Sequence, residues 1–219
     1  MNCFKGSVLL FWMLKYFSIL FALLFSSALF GQKETLESFD AQNLEAIHIY
    51  ADEVSSIRIE TKSTTTISMA THSEGEYYNR IGLDTKMENG TLIINSKFPQ
   101  ALSGGFDKLS AHKVFSIDLR LQIPAGLRVY IKSDQASVLA TGKYSLFEAE
   151  LNQGFCDLID FSGNGRVQTI MGDIHFETQD TRIEAETRNG KLQKSLPQAG
   201  KSLLKLSSVN GDISLYKTK

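Results

Sequence analysis

Met171-Gly172-Asp173-Ile174-His175-Phe176 and Asn210-Gly211-Asp212-Ile213-Ser214-Leu215 are two copies of one short pattern, and counting outward from their glycines decides the fold. Ala136, Gly154, Gly172 and Gly190 stand 18 residues apart, and Gly211 follows after 21. A fixed period of this size marks a stacked repeat. Two residues past each slot comes a small or apolar side chain: Val138, Cys156, Ile174, Leu192 and Ile213. Eleven residues past it stand Phe147, Gly165 and Ile183, thirteen past it Ala149, Val167 and Ala185, and fifteen past it Leu151, Thr169 and Thr187. Allowing for an insertion at Leu196-Pro197-Gln198-Ala199-Gly200, the columns continue through Leu204, Leu206 and Ser208.

These columns predict an all-β chain, a β-solenoid resembling a parallel β-helix, with coils of about 18 residues that each place two strands on opposite walls. Regular coils are expected over 133–216, with Val138, Cys156, Ile174, Leu192 and Ile213 in that order along one interior row. Corners are expected at the slots and at Thr141-Gly142-Lys143, Ser162-Gly163-Asn164 and Gln179-Asp180, where a tight bend asks for positive φ. The residues one past the slot, Asp173, Lys191 and Asp212, would then alternate in sign down a ladder of neighbours about 4.8 Å apart. Antiparallel hairpins at Asn189-Gly190 and Asn210-Gly211 are the rival reading, but a hairpin stack gives no reason for the period to hold.

Upstream, Ala46 to Tyr50, Ser56 to Glu60 and Val114 to Ile123 alternate apolar and polar residues and read as strands with one wet face, forming the first turns or a cap. Asn89-Gly90 between two such runs is a two-residue hairpin turn. Pro99 with Ser103-Gly104-Gly105 marks a loop, and Pro124-Ala125-Gly126 ends the long strand before the repeats.

The first 31 residues are set apart. Tyr16 to Phe30 is an apolar run preceded by Lys15 and followed by Gly31-Gln32-Lys33, which reads as a signal peptide cleaved after Ala28 or Gly31, with Met13 a possible true start. Joining Val8 to Phe30 into one uncleaved anchor would be long enough to span a bilayer but would bury Lys15. The expected product is a single exported domain over 32–219, located in the periplasm, on the cell surface or outside the cell, with no stable membrane span. It holds 21 basic and 24 acidic residues, which points away from nucleic acid as a partner. With Cys3 removed, Cys156 is left alone at an apolar column position, so it reads as a small core hydrophobe and no disulfide is expected. Charged Lys217-Thr218-Lys219 would shield an open edge.

The run Ile123-Pro124-Ala125-Gly126-Leu127-Arg128-Val129, followed by coils such as Gly172-Asp173-Ile174 and Gly211-Asp212-Ile213, resembles a bacterial family of adhesin-like β-strand-repeat domains of unknown function, in the style of toast-rack and auto-transporter adhesin head domains. The resemblance covers roughly Leu44 to Tyr216. It implies a β-solenoid at the cell envelope or exterior with no defined catalytic residues. Ala136 and the insertion around Pro197 depart from the pattern.

Three classes of chemistry can be set against these residues. Calcium-binding β-rolls need a nine-residue glycine-aspartate repeat, whereas here the period is twice that and Lys191 falls between Asp173 and Asp212 in sequence. Zinc would need three or four convergent ligands, and His48, His72, His112 and His175 lack ligand spacing, so no metal or other cofactor is expected. A glycan-processing enzyme on a β-helix scaffold would need two carboxylates about 5 to 9 Å apart. Asp157, Asp160, Glu148, Glu150, Glu177, Glu184 and Glu186 are the available acids, and they read as solvated strand positions. Ridged walls without a pocket suit binding of a protein or glycan at the envelope, with Phe155, Phe161, Tyr144 and Phe147 as aromatic candidates or, on the structural reading, end caps. The expected function is therefore non-enzymatic, structural, adhesion-like or ligand-recognising, with the glycan-processing enzyme and an envelope-stress sensing partner as alternatives.

Overall fold

A computed structural model describes residues 32–75, 82–97, 115–178, 181–194 and 200–217. Among them every regular element is a strand, and no helix is long and apolar enough to cross a membrane. The expected leader (1–31), the Pro99 loop, His112, the Gln179-Asp180 corner, most of the insertion at 196–200 and the final Thr218-Lys219 lie outside the described residues.

The strands form one folded sheet with two ranks. The first rank runs β1 (Gln32–Asp40), β4 (Thr66–Gly75), β7 (Phe115–Pro124), β3 (Ser56–Lys62), the first half of β9 (Ser137–Leu151), the first half of β10 (Cys156–Thr169), β11 (Ile174–Thr178), β15 (Ile213–Lys217) and β13 (Leu192–Lys194). The second runs β5 (Gly82–Glu88), β6 (Thr91–Lys97), β2 (Ala46–Tyr50), β8 (Arg128–Ser133), the second halves of β9 and β10, β14 (Ser202–Ser208) and β12 (Thr181–Thr187). β9 and β10 are long enough to serve both ranks. β9 crosses at Gly142, whose φ is 101° and where a Cβ would lie 2.0 Å from Thr61 Oγ1. In β10 the crossing is marked by Asp160 at φ 49° and by slips in register with β9 on either side of Phe161 and Ser162.

Pairing from β7 through β13 and from β6 through β12 is parallel, which disposes of the hairpin reading of Asn189-Gly190 and Asn210-Gly211. Antiparallel pairs occur only at the amino-terminal end of the described stack, where β1 joins β4, β4 joins β7, and β5 meets β6. The β5–β6 turn is the expected one, with Asn89 at φ 48° and Gly90 at 70°. Alternation along each strand sends one side inward. Ile57, Val138, Cys156, Ile174 and Ile213 from the first rank and Ile47, Val129, Phe147 and Leu204 from the second belong to one buried cluster. Phe161 lies 5.5 Å from Phe147 and 5.9 Å from Phe176, ring centre to ring centre, joining the ranks through edge-to-face contacts.

The sequence order of the windings is not their spatial order. Ile174 pairs with Ile213, and Ile213 pairs with Leu192, so the last winding sits between the two before it. The second rank repeats the exchange, with Gly165 beside Leu204 and Leu204 beside Ile183. At the other end β2 and β3 are likewise inserted, β2 between β6 and β8 and β3 between β7 and β9. The winding that carries β13 takes the edge, where Leu192 is 37% exposed while Ile213 is fully buried.

The glycine slots also hold for a different reason than expected. Gly154 has φ 80°, but no positive φ occurs at Gly172, Gly190 or Gly211. There the limit is contact between windings: a Cβ on Gly172 would lie 1.6 Å from the carbonyl oxygen of Gly154, one on Gly211 2.0 Å from that of Gly172, and one on Gly190 2.0 Å from that of Gly211.

A candidate recognition groove along the outer corner

Three residues before four of the five slots stands a hydroxyl that closes the corner from inside, and Leu151 takes that place before Gly154. Ser133 Oγ accepts Ala136 N–H at 3.0 Å and donates to Ala51 O at 2.6 Å. Ser208 Oγ accepts Gly211 N–H at 2.8 Å, and Thr187 Oγ1 accepts Gly190 N–H at 3.1 Å. Thr169 Oγ1 donates to Gly172 O at 2.6 Å. These hydroxyls satisfy backbone groups that a buried corner would otherwise strand. The Ser/Thr-x-x-Gly spacing is a local signal visible in the sequence at Thr169, Thr187 and Ser208.

Outside this closed corner the second rank carries a groove of about 790 Å³. Its wall is a single row of side chains set by register: Tyr50 beside Lys132, Lys132 beside Glu150, Glu150 beside Gln168, Gln168 beside Ser207, and Ser207 beside Glu186. Lys132 through Glu186 line the groove, and Tyr50 extends the row beyond it. The facing row includes Asp134, Asn152, Ile170 and Arg188. Asn152 donates from Nδ2 to Asp134 Oδ1, and backbone N–H groups of Gln153 and Asn152 bond to Asp134 O at 2.8 Å and Ser133 O at 3.1 Å.

At the groove's amino-terminal end three rings cluster. His48 packs 5.6 Å from Tyr130, and Tyr50 lies 5.9 Å from Tyr130 and 6.4 Å from His48. Tyr50 is 40% exposed. The Tyr130 hydroxyl donates to Glu150 Oε2 at 3.3 Å, joining the rings to the groove wall. Loss of hydration, with the negative charge of Glu150 next, raises the Tyr130 hydroxyl above its ordinary 10.0.

The aromatic residues singled out in the sequence divide differently. Tyr144, Phe147 and Phe161 are buried, with Tyr144 stacked 5.2 Å from Phe161, so they are mid-stack core and neither a surface cluster nor an end cap. Phe155 is exposed, as are Met171 and Ile170. Cys156 is buried and free, and burial pushes its thiol well above its ordinary value. His175 alternates outward between buried Ile174 and Phe176, beside Asp157 and 4.8 Å from Tyr216. His72 bonds Glu74 at 2.9 Å.

The charge ladder is corrected by the exchanged windings. Its spatial order is Asp173, Asp212, Lys191, so the two acids are neighbours and the lysine is not between them. Backbone donors compensate: Asp212 N–H bonds to Asp173 Oδ1 at 2.8 Å and Lys191 N–H to Asp212 Oδ1 at 2.7 Å. Among the described residues no group of three His, Cys, Asp or Glu is placed to hold a metal ion. Glu148 faces Arg166 and Glu184 faces Lys205, with Lys205 Nζ 3.5 Å from Glu184. Of the three groove carboxylates, Glu150 and Glu186 are three strand spacings apart, about 14 Å, beyond the separation of a glycosidase pair, while Asp134 accepts from Asn152 on the neighbouring strand.

No family model and no curated protein matches the sequence. Solved structures do. A "putative cell adhesion protein" from Clostridium sporogenes superimposes with a TM-score of 0.63 at 12% identity over 85% of this chain and 100% of that one. A "putative adhesin" from Bacteroides fragilis matches with a TM-score of 0.39 at 10% identity over 85% and 97%. The chain thus shares its fold with the Clostridium structure.

Proposed function

We propose that this protein is a non-enzymatic recognition module of the bacterial cell envelope, exported by way of residues 1–31 and built over 32–219 as a β-solenoid with two exchanged windings. The observation that carries the reading is the groove itself. Six strands from sequence positions as far apart as Tyr50 and Glu186 set one continuous polar row on the outer face. A rigid sheet that presents a long polar row suits binding of a partner along its length. Likeness to the Clostridium structure supports an adhesion-like role. The parallel rows of both ranks support the solenoid, and the grouping of Gln32–Lys219 as one compact unit supports a single domain.

The test is retention under flow. Beads carrying residues 32–219 are passed over surfaces coated with mucin, peptidoglycan sacculi or fibronectin, and the reaction is assayed in parallel for released reducing ends. Retention on one surface without release is the expected result. Absence of retention on all three, or release of reducing ends, overturns the reading.

A further inference from the structure

We propose that the groove takes an uncharged linear glycan lying across the strands, with one end stacked on Tyr50 and Tyr130. The proposal rests on the recognition reading above and names its ligand class.

Three observations lead to it. First, shape: the row from Tyr50 to Glu186 crosses five strand spacings, about 24 Å, and runs perpendicular to the strands. A globular partner would use the flat wall, whereas a chain can follow a groove of this length. Second, charge: Lys132 and Arg188 stand among Asp134, Glu150 and Glu186, so the two signs nearly cancel along the groove. A polyanion would meet the three carboxylates and a polycation the two bases. A polyol meets alternating donors and acceptors, since Lys132 and Arg188 donate, the carboxylates accept, and Gln168, Asn152 and Ser207 do both. Third, the rings: Tyr50 and Tyr130 are amphipathic, and their clustered faces at the end of a polar row fit the apolar face of a sugar ring while the Tyr130 hydroxyl remains tied to Glu150. A peptide strand would instead seek unpaired backbone at a sheet edge, and the backbone of β8, β9, β10 and β14 is already paired on both sides.

The experiment titrates isotope-labelled residues 32–219 with cellohexaose, maltohexaose, chitohexaose and mannohexaose, with glucose as the monomer and a hyaluronan hexasaccharide as the anionic comparator. At least one uncharged hexamer should shift resonances of Tyr50, Tyr130 and Gln168, with affinity that grows from dimer to hexamer. Tyr130→Ala and Gln168→Ala should each weaken it about tenfold, equivalent to roughly 1.4 kcal/mol. Tyr216→Ala on the other rank should leave it unchanged. These side chains are on the outer face, and thermal melting checks that each variant is folded. The proposal fails if no uncharged hexamer binds, if only hyaluronan binds, or if binding ignores both groove substitutions. Beads that are retained while the free hexamers fail to bind would leave the recognition reading standing and remove this one.

Discussion

At the scale of single residues the strongest constraint is Gly172, which sits with its Cα against the carbonyl oxygen of Gly154 and its own carbonyl against Gly211. Gly172→Val would place a Cβ 1.6 Å from that oxygen, so the windings must separate. We expect a loss of about 2 to 3 kcal/mol in chemical denaturation, the size of a backbone-displacing overpacking change. Tyr144 gives a pH prediction. Its hydroxyl donates to Ile59 O at 3.1 Å and Thr141 O at 3.0 Å, and burial raises it above its ordinary 10.0. Above pH 10 the unfolded chain gives up this proton while the folded one keeps it, so stability falls as pH rises further. Tyr144→Phe should abolish that part of the alkaline decline and lower stability at pH 7 by about 1 kcal/mol, as read in melts across pH 7 to 11. Asp157 behaves in the same sense at acid pH: burial raises it above 3.8 against an opposing effect of His175. The folded form therefore binds the extra proton, stability rises as pH falls toward 3.8, and Asp157→Asn should raise the melting temperature at pH 7 and flatten that slope.

Among the elements, the exchange of the last two windings sets the order of sensitivity. Leu204 on β14 is fully buried between two strands, whereas Leu192 on the edge strand β13 is 37% exposed. Leu204→Ala should cost about 3 kcal/mol and Leu192→Ala less than about 1 kcal/mol, measured by urea denaturation. If the windings followed the chain, β13 would be interior and β14 at the edge, and the order of the two losses would be reversed. The sequence made the columns legible because a slot with no Cβ and an apolar residue two further on are local, periodic signals. A column read in chain order, however, hides which winding is at the edge. The groove was not legible at all. Tyr50, Tyr130, Lys132 and Gln168 are ordinary wet-face residues of their own strands, and only the pairing of β2 with β8, some 80 residues on, brings them together.

For the whole molecule, insertion at both ends ties distant parts of the chain. The β2–β3 winding is held between strands that follow it by thirty residues or more, so those rows close only after β6, β7, β8 and β9 are in place. Folding dominated by such non-local parallel pairing is slow, on the order of milliseconds to seconds. The backbone registers also distribute burial widely, which explains why an all-β architecture was readable from alternation while its topology was not: periodicity reports which face is inward and says nothing of which strand is next door.

The threaded position of β14 and β15 has one more consequence. A chain ending at residue 194 would be left with an opening one strand wide on each rank, flanked by β10 and β12 on one side of the molecule and by β11 and β13 on the other. A synthetic peptide of residues 200–217, supplied in trans, should dock into that opening and restore the missing β signal in circular dichroism, while a scrambled peptide of the same composition should not. The final segment of this protein would then act as its own detachable guest.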